Sequence, residues 1–571
     1  MKESQSIYLA ITIGPVFRTI TRARKTRELW ASSFIFSLLM RKILDGLKGY
    51  KKLMPYDPPA GAPVFDAQGA GLWPDRCVVE LSGGEMPDVK QLLDGVFDAL
   101  AADLAVKDAD SLKSLFSVHV LRANWKEISM KEGMLPGEEN DLLPLHRLQR
   151  LLDNLELGAH YQPKEEPSLN VLLEDWIHKL YTVAAHKQSK VFIALPDGSV
   201  RLPSLPEIAL TEIKESPDLK DSFAVHIEVP INEKIMVLRK EKKRAKDYDF
   251  DGQKANEQIY EKLREVLPKD SVDFRHKYIA VVAADGDSVG KLIAEKSRKG
   301  GLEVFSESLM EFAKDAVGQV VAYGGLPVYA GGDDLLFIAP VTNEQAEKSK
   351  NVIQLCQQLN TCFKEKISEN VSLSFGLSIT YYKFPLGEAV REAYALQEKA
   401  KDFKIWRKSE GIGEKFELLY AKQALSFQLR KHSGQALGAT IGLDLRSTEQ
   451  FMHAILKADE EVENSFLSSV MHSLRKLPVL VASAARDSSL EHFRTHHFNE
   501  GGKHDKQFLK EAMKVLELIF EDYGDFAGSA EGKEKEASFS EQEIADFDLY
   551  RVNIFYAMLR FKQFLIQKDH D

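Results

Sequence analysis

The chain has 571 residues, 44% of them apolar, and carries 76 Lys and Arg against 86 Asp and Glu, a formal charge of −10. That length allows three or four domains, each with its own core, and the acidic balance excludes a uniformly basic nucleic-acid coat, so any nucleic acid must be met at a local patch. Three cysteines, Cys77, Cys356 and Cys362, exclude both a disulfide framework and a four-cysteine zinc site within one chain. The first residues, MKESQSIYLAITIGP, lack a basic-then-apolar leader, and no apolar run reaches the length of a membrane span. A reducing, cytoplasmic setting with no membrane contact is the expectation.

In chain order, IYLAITIG (7–14) reads as a strand, and Gly14-Pro15 marks a turn into one long helix. Val16, Ile20, Ala23, Trp30 and Phe34 fall on one face of that helix, and Arg18, Arg22 and Lys25 on another, where they either contact phosphate or RNA or stay solvated. CVVELSGG (77–84) reads as a second strand, PDVKQLLDGVFDAL (87–100) as a helix and FSVHVL (116–121) as a third strand, giving an α+β domain over 1–125. Residues 126–270 read as a mostly helical connecting domain. They include a charged run, LRKEKKRAKDYDFDGQ (238–253), of the kind that forms a solvated loop, RNA contact being the alternative.

The pattern sharpens after Lys277. YIAVVAAD (278–285) predicts a buried strand, GDSVGKLIAEK the start of a helix, and SESLMEFAKDAVGQVV (306–321) a helix with apolar residues at helical spacing. GLPVYA and LLFIA predict two strands joined at Gly331-Gly332, a dipeptide suited to a tight hairpin. A helix near 344–366, a strand VSLSFGLSITYY (371–382) and a helix GEAVREAYALQEKAK (387–401) complete a β-α-β-β-α-β order, the ferredoxin-like plan, in a domain over 271–430. Residues 431–571 read as a helical bundle. It includes FLKEAMKVLELIFEDYG (508–524), a polar mobile segment AGSAEGKEKEASFS, and a last helix opened by the capping-box pattern at 540–543.

In the ferredoxin-like plan the first and third strands are neighbours, so Asp285, ending the first, should face Asp333 or Asp334 at the hairpin tip. Two such carboxylates about 4 Å apart repel by roughly 4 kcal/mol at an effective dielectric of 20, so the cluster needs a cation. All-oxygen ligands select Mg2+ or Mn2+, and a pair of such ions serves nucleotidyl transfer. The segment DGDSVGK leads into a helix whose N-terminus could cradle a triphosphate through Gly286, Ser288, Gly290 and Lys291, although its spacing is not that of a P-loop. Asp287 reads either as a helix N-cap or as a further metal contact.

AADGDSVGKLI, YAGGDDLLF, LSFGLSITYYKFPLGEAV and LSFQLRKHSGQ (425–435) stand in one order, preceded by ITIGPVFRTITRARKTRELWASSFIFS (11–37) and WPDRCVVELSGG (73–84). This set resembles the large polymerase/cyclase subunit of type III CRISPR effector complexes, closest to the Cmr (type III-B) branch. The resemblance implies an α+β fold of two ferredoxin-like palm domains, related to adenylyl and guanylyl cyclases, with an intervening domain, a C-terminal helical bundle and an ATP pocket between the palms. It implies metal ligation by Asp285, Asp333 and Asp334, close approach of Gly331 and Gly332 to the nucleotide, and a place for Lys401 near the triphosphate, a solvated helix end being the plainer reading. It further implies other complex subunits, crRNA and target RNA as partners, and RNA-activated condensation of ATP into a cyclic oligoadenylate messenger. Transfer of AMP to S-adenosylmethionine and a silent scaffold role are the alternatives.

Two departures qualify the resemblance. Many family members begin with an HD nuclease domain, whereas here the palm-like strand starts at Ile7, so no HD-type nuclease activity is expected; His504-Asp505 reads as a surface pair. The intervening domain's cysteine zinc site cannot be rebuilt from three scattered cysteines, and His492, His496 and His497 read as structural or exposed. In the first palm, SGGE (82–85) imitates a catalytic hairpin, but no acidic residue ends the first strand. That palm is expected to bind the acceptor nucleotide or to scaffold.

Overall fold

A computed structural model describes residues 7–56, 69–81, 87–124, 144–157, 169–184, 191–240, 253–269, 271–299, 301–408, 416–456, 464–487, 489–498, 503–524, 526–527 and 541–568. The chain begins with β1 (Ile7–Gly14), α1 (Val16–Ile20) and α2 (Thr26–Gly46). The single long helix expected from Val16 is broken at 21–25. The Thr19 and Thr21 hydroxyls turn back to the carbonyls of Pro15 (2.6 Å) and Phe17 (2.9 Å), and the Glu28 carboxylate accepts from the Arg24 N–H at 2.9 Å, which starts a new helix. β2 (Lys51–Met54), β3 (Arg76–Leu81), α3 (Val89–Leu104), α4 (Ala109–Lys113) and β4 (Ser117–Asn124) follow. The four strands form an antiparallel sheet in the order β2-β3-β1-β4, the ferredoxin-like order. SGGE (82–85) lies outside the described residues.

α5 (Pro144–Leu157) packs on this first sheet, where Arg76 pairs with Asp153 (2.7 Å) and Glu156 (3.0 Å). Next come α6 (Leu169–Ala184), a short hairpin of β5 (Ile193–Ala194) and β6 (Val200–Arg201), α7 (Leu205–Ala209), α8 (Thr211–Glu215), α9 (Lys220–Phe223), α10 (Val229–Lys240) and α11 (Gln253–Val266). The charged run over 241–252 lies outside the described residues. Buried Arg201 locks this segment through a two-pronged pair with Glu207 (2.7 and 2.9 Å) and a hydrogen bond to Asn232 (2.8 Å). α7 lies against the second sheet, and Glu212 of α8 accepts from Arg275 (3.0 Å) and Thr342 (2.8 Å).

The second sheet is built from β7 (Tyr278–Asp287), α12 (Val289–Lys299), α13 (Leu302–Ala322), β8 (Leu326–Gly331), β9 (Asp334–Pro340), α14 (Val352–Lys366), β10 (Ser372–Tyr381) and α15 (Leu386–Lys401). β10-β7-β9-β8 repeats the strand order of the first sheet. The apolar run of β7 is buried because it is central and covered on both faces. On β10 the small residues Ser374, Gly376 and Ser378 take the face toward α15: a Cβ at Gly376 would stand 1.9 Å from the Ala393 carbonyl oxygen, and Ser378 donates to Glu392 at 2.5 Å. β11 (Lys404–Lys408) and β12 (Phe416–Ala421) form a side hairpin, while β13 (Ala424–Arg430) adds parallel to β10 and β14 (Ala436–Gly442) closes the sheet. The family-like stretch at 425–435 is therefore part of the palm sheet itself.

The remaining chain is α16 (Arg446–Gln450), α17 (Asn464–Lys476), α18 (Pro478–Arg486), α19 (Leu490–His497), α20 (Lys503–Asp522), the two-residue β15 (Phe526–Ala527) and α21 (Glu541–Ile566). α21 is seated on β14, and its Phe564 packs edge-on against Tyr278 at the start of β7. The expected mobile segment over 528–540 and the capping serine, Ser540, lie outside the described residues. No helix among the described residues is long and apolar enough to cross a membrane.

Candidate active site

β7 and β9 pair antiparallel with Ile279 opposite Pro340 and Ala284 opposite Leu335. Continued by one step, this register sets Asp285 opposite Asp334, at the separation of directly facing side chains, about 5 Å between Cβ atoms. The next step sets Gly286 beside Asp333, and a Cβ on Gly286 would come within 2.7 Å of the Asp333 Cβ and Oδ2. The three aspartates thus converge because Gly286 has no side chain. The turn differs by one residue from the expected Gly331-Gly332 pair. Gly331 pairs with Asp334, which leaves Gly332 and Asp333 as the two loop residues. Gly332 carries the positive φ of 86°, the first-position signature of a type II′ hairpin. Gly331 is demanded for another reason: a Cβ there would meet the Tyr329 hydroxyl.

Lys401, the last residue of α15, reaches across the sheet face and forms an ion pair with Asp285. Its partial burial works against the charged form, but Asp285 outweighs that and its pKa is raised. Asp333 is pushed up to about 6, by crowding away from water first and by the Asp285 charge second. Asp334 opens toward the cavity mouth yet is ringed by protein. Desolvation, then Asp333 and Asp285, shift it well above the usual carboxylate range. With Lys401 as partner of Asp285, no set of three or more His, Cys, Asp or Glu groups among the described residues already stands in metal-ligating arrangement.

These residues line a cavity of about 360 Å3 between the two sheets. Of the residues expected from sequence, Asp285, Gly286, Gly290, Gly331, Gly332, Asp333, Asp334 and Lys401 are in its wall. Ser288 and Lys291 are not. Ser288 takes a positive φ of 63° at the head of α12, and Lys291 is exposed. Asp287 is no N-cap and turns away from the cavity. It is buried, and its Oδ2 accepts from the Ser372 and Ser374 hydroxyls (2.8 Å each) and the Gln423 N–H (2.9 Å). Burial nevertheless raises its pKa. It ties β7 to β10 and to the turn before β13.

The opposite wall comes from the first sheet, as a pocket between the palms requires, but sequence reading named none of its residues. The connection between β2 and β3, over 55–75, contributes Pro55, Tyr56, Pro74 and Asp75 to the cavity. Asp75 has a pKa raised by burial, against the pull of Arg76, and its charge in turn adds to that on Asp334. Tyr329 and Tyr394 flank the carboxylates; burial and then the Asp334 charge keep both hydroxyls protonated. The sheets dock directly, with the Ala330 N–H donating to the Gly71 carbonyl at 2.8 Å. Cys77 lines the cavity as a buried thiol pushed up to about 12 by desolvation, a packing group and not a nucleophile. Elsewhere, His492 and His496 stack on the exposed surface of α19, and His497 lies over Phe493. Asp505 stands in the first turn of α20, while the side chain of His504 lies outside the described residues.

Two sheets of one strand order, facing each other across a cavity with carboxylates on one rim, define a protein of the two-palm class. Residues 278–407 match the family described as Cas10/Cmr2, second palm domain, and residues 8–49 match CRISPR-associated protein Cmr2, N-terminal. Over these two segments the chain is similar to the Cas10/Cmr2 family on its Cmr branch, the resemblance that its ordered motifs implied. A relative described as CRISPR system Cmr subunit Cmr2 of Pyrococcus furiosus is 26% identical over 217 residues, which cover 32% of this chain and 23% of the relative's length. The fold is similar to that of a chain of the type III-B Cmr-beta complex in its apo state (TM-score 0.52, 12% identity, 98% of this chain and 82% of that one). It is likewise similar to a chain of the same complex bound to cognate target RNA (TM-score 0.52, 13% identity, 98% and 83%).

Proposed function

We propose that this chain is the large subunit of a cytoplasmic type III-B CRISPR ribonucleoprotein, and that its second palm is an ATP-using nucleotidyltransferase switched on when target RNA pairs with crRNA. The observation carrying this reading is the meeting of Asp285, Asp333, Asp334 and Lys401 in one cavity walled by the first palm. In the reaction, a ribose 3′-oxygen attacks the α-phosphorus of ATP, the bond to pyrophosphate breaks, and the hydroxyl proton passes to solvent. Repetition and ring closure give a cyclic oligoadenylate.

The donor set fits Mg2+ or Mn2+: three carboxylates, all oxygen, whose crowding lifts the pKa of Asp333 and Asp334 and so favours a compensating cation. When bound, such ions would be held by Asp285, Asp333 and Asp334 and would supply charge neutralisation for the phosphates and the leaving pyrophosphate. Lys401, kept protonated by Asp285, presents a fixed positive charge to the triphosphate. Gly332 and the bare backbone of the hairpin let the nucleotide approach closely. The first-palm wall, with Asp75, receives the acceptor nucleotide.

The test is assembly of the complex with guide and target RNA, incubation with ATP and Mg2+ with and without S-adenosylmethionine, and identification of products by mass spectrometry. Asp333→Ala with Asp334→Ala should lower product by about a thousandfold or more while RNA binding persists. Unchanged turnover in that variant would reject the site. An AMP adduct formed only with S-adenosylmethionine would change the acceptor and keep the site, and an inert wild type in every arm would establish the scaffold reading.

A further inference from the structure

A second cavity, of about 460 Å3, lies where the helix break of the first palm meets the β10–α15 loop of the second. It is separate from the nucleotide cavity. α15 runs 16 residues from its N-terminus here to Lys401 at the catalytic end, about 24 Å at 1.5 Å per residue. Five cations line it, Arg22, Arg24, Lys25, Lys383 and Arg391, with Glu388 the one acid in its wall. That concentration stands out on a chain of net charge −10.

The site is built, not draped. The Arg391 Nη1 donates to the Thr21 carbonyl at 3.0 Å, and Gly387 lies so close that a Cβ would come within 2.3 Å of the same oxygen. The two palms are thereby clamped, and the cations stand on a fixed frame. The first turn of α15 opens on the cavity and adds the positive end of its dipole. The Arg391 guanidinium is held by Glu388 and the Thr21 carbonyl, and Arg24 stands 3.7 Å from Glu28, so it is the summed positive charge of the wall that suits a polyanion; the volume matches a multi-atom ligand and not a single ion. Of the cations singled out near the N-terminus, Arg22 and Lys25 are part of this wall and Arg18 is not.

We propose that this cavity is a phosphate-binding site, filled by the phosphodiester backbone of a single RNA strand or by a free polyphosphate. The probes are a fluorescein-labelled single-stranded RNA dodecamer, inorganic tripolyphosphate and poly-glutamate, with the full chain throughout. Arg22→Glu with Lys383→Glu should weaken RNA binding by about tenfold or more and flatten the plot of log affinity against log salt by about 1.4, two phosphate contacts at roughly 0.7 each. A charge-matched control, Lys299→Glu with Lys476→Glu, should leave both nearly unchanged, and Arg22→Gln with Lys383→Gln repeats the measurement with less repulsion. Thermal melting verifies that each variant is folded. Displacement of the RNA by tripolyphosphate at equal charge assigns the site to free polyphosphate, and resistance to it assigns the site to the strand. Wild-type affinity in both pocket variants, equal losses in the control, equally effective displacement by poly-glutamate, or a wild type that binds neither the RNA nor tripolyphosphate by titration calorimetry would overturn the proposal.

Discussion

The two palms share one strand order and differ in how their second and third strands are joined. In the second palm, Gly332 and Asp333 close a two-residue turn that holds adjacent carboxylates against the end of β7. In the first, β2 and β3 are joined over 55–75, and the described residues of that connection bring one carboxylate, Asp75, to the cavity wall. The strand ends differ too: β7 closes on Asp-Gly-Asp and β1 on Thr-Ile-Gly. One scaffold thus yields a charged rim on one side of the cavity and a sparsely charged wall on the other. The asymmetry lies in the turns and strand ends, where residues can change without disturbing a sheet core.

Substituting the matched strand-end glycines breaks the comparison most sharply. Gly286→Ala would force a methyl into Asp333 and Val289, whereas Gly14→Ala meets chiefly the Ser117 hydroxyl at 2.9 Å, which can rotate away. Gly286→Ala should cost about 1–3 kcal/mol of stability and about a hundredfold or more in product formation, as expected for overpacking beside a catalytic group. Gly14→Ala should stay within about 1 kcal/mol with activity near wild type. Equal losses from both, by thermal melting and product assay, would refute the asymmetry.

The anchors of the two palms give a second contrast. Glu212, fixing the connecting segment to the second palm, is desolvated, but His276, Arg275 and Thr342 overcome that and hold its pKa at about 2. His276 Nε2 stands 3.7 Å from the carboxylate, so that contact is electrostatic, while Arg275 and Thr342 are hydrogen-bonded. A depressed carboxylate pKa adds stability above the unfolded value, near 4.5, that is lost as pH falls toward 2. Glu212→Gln should therefore cost on the order of 3 kcal/mol at pH 7, with the gap to wild type closing between about pH 4.5 and pH 2 in denaturant titrations. The first palm's anchor, Arg76 with Asp153, is half open to solvent, and Asp153→Asn should cost about 0.5 kcal/mol or less. The last expected effect is kinetic: with the first-palm wall taking the acceptor as proposed, Asp75→Asn should raise the apparent KM for ATP no more than about twofold with little change in kcat. A loss confined to kcat would move Asp75 into the reacting group.

Much of this was legible beforehand for stated reasons. The strands at 7–14 and 278–285, the helix at 306–321 and the ferredoxin-like order follow from periodicity and turn chemistry, both local properties. The convergence of Asp285 with Asp333 and Asp334 followed from topology, because the first and third strands of that plan must be neighbours. Local signals misled where side-chain bonds overrode them. Thr19, Thr21 and Glu28 broke a helix that apolar spacing had made continuous, and Ser372, Ser374 and Gln423 drew Asp287 away from the cavity.

By itself the amino-acid order determined the α+β class, the second palm's strand sequence and the three acids at its rim, since each depends on residues close together or on one necessary pairing. Only the tertiary structure decided that Asp75 faces those acids, that Lys401 pairs with Asp285, and that Arg22 and Lys383 share a cavity. Those are meetings of residues far apart along the chain, fixed by how two sheets dock. Docking is set by shape and by close contacts such as Gly387 on Thr21, which leave no period or motif to read.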